Sequence, residues 1–236
     1  MIGILTQVDK DLAAQVAYGL GLEVPAGPEQ PVNHAVPADA DPAQYEPFPP
    51  KAPVPDISAA LSMVNTIKDS IQTRKIGFLV ADGVDAATVE TVKSALEAAG
   101  AVVEIIAPHL GEIIAADNSA IPVQKSLLTA SSVFYDALYV PAGVTSSATL
   151  EADADAVHFL NEAYRHCKAI AAHADARQVL EATYFAKKLP EDDSEESAMM
   201  EGIVIQKDVK KLAKIFIRAI AQHRFWEREK PRRVPA

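Results

Sequence analysis

The hydrophobic positions of this chain change their period several times, and each change marks a boundary. Val8, Leu12, Val16 and Leu20 recur at helical spacing and predict an amphipathic helix over residues 8–20. From Ile76 onward, short apolar runs alternate with longer amphipathic ones. Ile76–Ala81, Val102–Ala107, Val133–Val140, Ala169–Ala172 and Gly202–Gln206 read as strands. Helices over Ala86–Ala98 and Asp153–His166, one opening at Ala176–Ala182 and a long final one over Asp208–Arg228 lie between or after them. Gly111–Ile121 reads as a hairpin. Strands so short and so continuously apolar are buried on both faces, which predicts a mainly parallel sheet covered by helices. Such sheets bind ligands beyond the carboxyl ends of their strands, near the switch in strand order. The loops at 82–85, 141–147 and 173–176 are expected to meet there.

Residues 23–55 hold ten of the sixteen prolines. Proline fixes φ and removes a backbone donor, so this stretch is neither helix nor central strand and reads as an extended arm. Asp56 or Ser58 then caps a helix running to about Ile71, with Leu61, Val64, Ile67, Lys68 and Ile71 near one stripe. The expected organisation is an N-terminal helical segment over 1–22, an arm over 23–56 and one α/β domain over 57–236. No run reaches the roughly 18 apolar residues of a membrane span. No basic-then-apolar leader opens the sequence, so no membrane partner is expected.

Charge adds an asymmetry. Residues 73–206 carry 20 acids against 9 bases, whereas residues 207–236 carry 3 acids against 10 bases. The acidic majority, with a net charge of −10, argues against nucleic-acid binding. The basic final helix reads as a solvated face, a site for an acidic partner, or a region compensated by Glu191–Glu196 in the same molecule. Trp226, near its end, is expected to cover the sheet edge. The single cysteine allows no internal disulfide and no multi-cysteine metal site. His34, His109, His158, His166, His173 and His223 show no metal-ligand spacing, so no metal is expected. Gly83, Gly100, Gly111 and Gly143 form no dinucleotide fingerprint.

Candidate chemistry concentrates in Lys168–Leu180, KAIAAHADARQVL: an apolar strand, the turn His173–Ala176, and a helix start. This stretch resembles the nucleophile elbow of the class I glutamine amidotransferase-like superfamily, which includes the PfpI-type proteases. The superfamily has a cysteine at the position of Ala174, activated by a sharp turn and a helix N-terminus. A methyl group has no such chemistry. The superfamily's partner acid aligns with Thr88, flanked by Ala87 and Val89. Pro141-Ala142-Gly143-Val144-Thr145 replaces its Gly-Gly oxyanion turn, and Ala142 restricts the backbone there. The resemblance therefore implies a degenerate catalytic site at His173, Ala174, Asp175 and Thr88. Asp82, Gly83, Gly143, His173 and Asp175 remain as a candidate ligand pocket. His173 and Asp175 either pair with each other or satisfy donors of the turn. Cys167 is either a relocated nucleophile with a pKa lowered by nearby cations, or a small half-buried side chain.

Seven further stretches narrow the resemblance. They are Gln7–Ala13, Arg74–Val84, Ala98–Ala101, Gly111–Ile113, Tyr135–Gly143, Glu162–His166 and Ala221–Trp226. In this order and spacing they resemble the C-terminal domain of large-subunit haem catalases, across essentially the whole chain. The resemblance implies a flavodoxin-like, three-layer αβα sandwich preceded by an N-terminal helix and the arm. It implies no haem in this chain, because the haem ligands of the family lie in an upstream core. The implied partners are that catalase core, its tetramer neighbours and unfolded client proteins held in a chaperone-like way. The implied parent decomposes hydrogen peroxide. Two alternatives stay open: a small-molecule enzyme using Cys167, and a sensor binding a small anion near Asp175.

Overall fold

The computed structural model describes residues 2–28, 59, 60, 62, 65, 68–192 and 194–228. The chain divides into two compact units, Met1–Ser58 and Ala59–Ala236.

In the first unit, α1 (Ile2–Val8) and α2 (Lys10–Leu20) replace the single helix expected over residues 8–20. Asp9 breaks it. Its extended backbone and its carboxylate, which accepts the N–H groups of Asp11 and Leu12 at 2.8 and 2.9 Å, cap α2. Gly21, in the left-handed region at φ 66°, ends it. The buried face is also not the expected one. Ala13 and Ala17 are buried, while Val8, Leu12 and Leu20 are exposed. Small side chains permit close approach: a Cβ on Gly3 would stand 2.5 Å from the Gly27 carbonyl oxygen. The expected arm beyond Pro28 and most of the helix leading to Ile71, with Leu61, Val64 and Ile67, lie outside the described residues. Lys68–Ile71, which are described, are not helical.

The second unit contains β1 (Lys75–Leu79), α3 (Ala86–Ala98), β2 (Val102–Ala107), β3 (Gly111–Ile114), β4 (Ala120–Val123), β5 (Lys125–Ser126) and β6 (Ala137–Val140). Then follow α4 (Val144–Ala152), α5 (Ala154–Arg165), β7 (Ala169–His173), α6 (Arg177–Glu181), α7 (Glu195–Glu201), β8 (Ile203–Gln206) and α8 (Val209–Ala221). Six strands form a wholly parallel sheet in the order β5-β2-β1-β6-β7-β8, and β3 and β4 form a separate antiparallel hairpin. The alternation of strands and helices predicts such a covered parallel sheet, and the arrangement is the flavodoxin-like sandwich that the family resemblance implies.

Each sheet face has its own apolar core. Side chains alternate along the strands, so Ile76, Phe78 and Val80 face α3 and α8, with Val92, Leu96 and Phe216. Leu79, Leu138 and Ile170 face the other layer, with Leu150, Leu160 and Leu180 of α4, α5 and α6. Phe78 and Tyr139 meet edge-to-face at 4.8 Å between ring centroids. Each such large side chain contributes about 1.5–3 kcal/mol when fully buried. The outer face of α8 carries Lys210, Lys211, Lys214 and Arg218. Arg218 pairs with Glu195 of the acidic run, which compensates that cation within the molecule.

Three elements depart from the sequence reading. Residues 144–152 form α4, so most of the loop expected at 141–147 is helix. Their Ser, Thr and Ala content shows no apolar stripe, yet the helix buries Ser146, Ser147 and Leu150. The strand read over Val133–Val140 starts later, because Ser132–Phe134 makes a 3-10 turn. The last helix stops at Ala221, and His223 takes a positive φ of 67° before a separate turn at Trp226–Arg228. Phe225, not Trp226, is the buried aromatic there, and its ring fills the space over Gly202 at the start of β8.

Candidate functional site

The strand order reverses between β1 and β6, so the crevice of this fold lies beyond the carboxyl ends of those strands. The loops after them are tied together. The Asp85 N–H donates to the Ala142 carbonyl at 2.7 Å, and the Ala81 N–H donates to the Ser146 hydroxyl at 2.9 Å. Gly143 lies at φ 144° and abuts the other loop so closely that a Cβ would stand 2.6 Å from the Gly83 carbonyl oxygen. Gly83 and Gly143 are thus brought together as expected.

Asp82 is committed elsewhere. Its carboxylate accepts the Ile114 N–H at 2.8 Å, and the Gly83 N–H donates to the Ile114 carbonyl at 2.7 Å, which fastens the β3–β4 hairpin to the sheet.

The elbow has the expected local form: β7 ends at His173, Ala174–Ala176 make a 3-10 turn, and α6 follows. Ala174 is half-buried and packs on the apolar core of its face. His173 is buried, and both ring nitrogens are engaged. Nδ1 accepts the Asp175 N–H at 3.2 Å, and Nε2 lies 3.0 Å from the Lys207 carbonyl oxygen. An amide N–H only donates and a carbonyl only accepts, so the ring carries its proton on Nε2. The Asp175 carboxylate lies 3.7 Å from Nδ1 and is mostly exposed. His173 therefore acts as a link between the turn and the start of α8. Thr88 is buried in the first turn of α3, where its hydroxyl donates to the Asp85 carbonyl at 2.8 Å. Ala174 has no nucleophilic atom, and Thr88 has no carboxylate in the place of the partner acid, its hydroxyl being bonded to the Asp85 carbonyl.

Cys167 is 3% exposed and adopts a φ of 60° at the turn into β7. Its thiol points to the Arg165 carbonyl at 3.9 Å, and its own carbonyl accepts the Phe225 N–H at 2.8 Å. Burial, not exposure, is what the fold assigns to it.

Sequence reading missed two buried hydroxyls: that of Ser147 has no partner among the described residues, and that of Tyr139 has none of good geometry there, with Thr88 the nearby hydroxyl. Burial pushes the Tyr139 phenol well above its usual pKa. Nothing in their local sequence marks them. It also missed a charge network at the opposite, amino edge of the sheet. Asp136 accepts the Lys75 N–H at 3.0 Å and lies 3.3 Å from Arg74, 3.7 Å from His223 and 3.9 Å from Arg224. Nearby, Lys168 is buried with its ammonium donating to the Ser132 carbonyl at 2.5 Å. Burial first, and then Arg224, lowers its pKa to about 8.

Several side chains of the types that ligate haem are committed within the fold. A haem ligand must face an open apolar slot, but Tyr135 and Tyr164 spend their hydroxyls on Glu104 and Glu201, at 2.7 and 3.1 Å. Tyr139 is enclosed by Phe78 and Phe216, and His173 has no free nitrogen.

Comparison with solved structures supports the fold. Toxoplasma gondii DJ-1 in its oxidized form superimposes with a TM-score of 0.54 over 66% of this chain and 94% of that one, at 16% identity. The likeness is one of fold. The sequence then fixes the family. Residues 72–230 match the C-terminal domain found in long catalases, and the chain belongs to that family. It is 35% identical over 232 residues to catalase HPII of Mycobacterium avium, covering 97% of this chain and 30% of that protein. Catalase HPII of Pseudomonas aeruginosa is 30% identical over 226 residues, covering 96% of this chain and 27% of that protein. The chain thus spans less than a third of the length of these relatives.

Proposed function

We propose that this chain is a non-catalytic accessory domain of a long catalase, and that it stabilises its parent and holds unfolded polypeptides. The parent would decompose hydrogen peroxide with a haem bound outside these residues. The observation that carries the reading is the apolar surface of the first unit. Ile4, Val8, Leu12, Tyr18, Leu20, Leu22 and Val24 are all exposed large apolar side chains within a short segment. Exposed apolar side chains concentrated in one short segment favour an interaction site. In the parent it would lie against the catalase core and its oligomer neighbours, and in isolation it would be available to clients. The occupied elbow supports the non-catalytic half of the reading, since Ala174 has no nucleophile and His173 no free nitrogen.

The test is light scattering from a heat-denaturing client, with the chain in near-stoichiometric amounts and an inert protein at equal mass as control. Suppressed aggregation of several unrelated clients is expected. Unchanged aggregation for all of them leaves the holding function without support.

A further inference from the structure

The last described turn of the chain is a strap and not a continuation of α8. The helix stops at Ala221, and His223, at φ 67°, turns the backbone so that Arg224–Arg228 lie across the start of β7. A seat receives them there. The Phe225 N–H donates to the Cys167 carbonyl at 2.8 Å, and the Arg228 guanidinium donates to the Lys168 carbonyl at 2.5 Å. The Phe225 ring lies over Gly202, where it leaves no room for a Cβ. The Arg228 Cζ stands 4.4 Å from the centroid of the Tyr164 ring. The seat therefore selects an aromatic ring followed, three residues on, by a guanidinium.

Two features make the strap releasable. Its hinge, His223, holds a left-handed backbone without being glycine, which is strained. Five buried side-chain nitrogens and oxygens lack a hydrogen-bond partner among the described residues, and three of them lie on the strap: Nδ1 of His223, and Nε and Nη1 of Arg228. These atoms give up no hydrogen bond when the strap lifts, and they gain water. What opposes release is the buried Phe225 ring and the bonds at the seat. An identical strap from a second copy supplies all of those contacts again, while an opened hinge no longer has to hold φ 67°. Exchange of an identical element is a low-cost route to a dimer for this reason.

We propose that Arg224–Arg228 is an exchange element that joins two copies of this chain, each strap occupying the other's seat at Cys167, Lys168 and Gly202. The proposal goes beyond the accessory function above and does not depend on it. Release precedes docking, so the dimer forms slowly and is favoured by concentration and by warming short of unfolding.

The experiment is size-exclusion chromatography with light scattering on the full chain, incubated at millimolar concentration just below its melting temperature and then cooled. A monomer–dimer mixture is expected. His223→Gly, which relieves the hinge, is expected to weaken the dimer several-fold. His223→Pro, whose ring forbids a positive φ, is expected to strengthen it at least about tenfold. Phe225→Ala is expected to remove it, with folding of all variants checked by circular dichroism. On wild type, excess acetyl-Arg-Phe-Trp-Glu-Arg-amide present during the incubation is expected to prevent the dimer, and the same peptide with alanine for phenylalanine is not. Leu12→Glu, which alters the exposed apolar segment of the first unit, is expected to leave the dimer intact. Monomer throughout in wild type and His223→Pro, a dimer that survives Phe225→Ala, or a dimer indifferent to the peptide would each overturn the proposal. So would a dimer lost in Leu12→Glu, which would assign the contact to the first unit.

Discussion

The Nδ1 atom of His173 accepts the backbone N–H of Asp175 across 3.2 Å, so the ring beside the vacant nucleophile position is spent on the turn itself. Its other nitrogen holds the Lys207 carbonyl. His173→Ala is expected to destabilise the fold by about 1–3 kcal/mol, because two backbone groups lose a buried partner. His173→Asn, whose side-chain oxygen still reaches the turn N–H, is expected to recover part of the loss. Urea midpoints of the two variants check this. Equal stability of wild type and His173→Ala would show that the link is energetically empty.

Ala174 occupies the tip of a strand-to-helix turn and is only half-buried, whereas Cys167 is buried. Native wild-type protein is therefore expected to react slowly with iodoacetamide and fully only after unfolding. Ala174→Cys is expected to label readily in the native state, because exposure and the turn favour its thiolate. Mass spectrometry of the two proteins distinguishes the sites. Rapid native labelling of Cys167 would revive it as a reactive thiol.

His223 is held neutral to unusually low pH. Burial first, and then Arg224 and Arg74, lower its pKa from 6.5 to about 4, against an opposing pull from Asp136. Between those values the unfolded chain binds more protons than the folded one, so stability rises with pH across that window and is lost as pH falls through it. His223→Asn, a residue that tolerates the positive φ of 67°, is expected to flatten this acid limb without changing the slope above pH ~6.5. Denaturation midpoints of both proteins from neutral to acid pH test the point.

Gly143 and Gly111 both have positive φ, at 144° and 101°, but only Gly143 is crowded. Gly143→Ala meets the Gly83 carbonyl and the Val84 backbone as well as φ strain. Its expected cost exceeds the about 1–3 kcal/mol of backbone strain alone. Gly111→Ala faces open space and is expected to cost only the strain. A larger loss for Gly111→Ala in thermal melts would contradict the close approach of the two loops.

Much of the fold is legible in the chain because burial leaves a local signature. The apolar runs at Ile76, Ala137, Ala169 and Ile203 are as continuous as strands buried on both faces require. The stretches that carry the family likeness are less transparent. Arg74, Asp136, His223 and Arg224 belong to three of them, and their common role emerges only where they converge on one network at the amino edge. The helix over Val144–Ala152 is illegible for a different reason. Its buried face is made of serines and one leucine, so no hydrophobic period exists to be read.

The sequence by itself determined the layered sheet, and it determined that the elbow has no nucleophile, since a methyl at Ala174 and a threonine at 88 are facts of residue identity. Tertiary structure decided what the remaining polar groups do. His173 meets Lys207 34 residues away, Asp82 meets Ile114 32 residues away, and Arg228 meets Lys168 60 residues away. Periodicity and propensity report each residue's neighbours along the chain. Which distant backbone group satisfies a buried donor or acceptor is set by how the layers pack, and no local pattern encodes that choice.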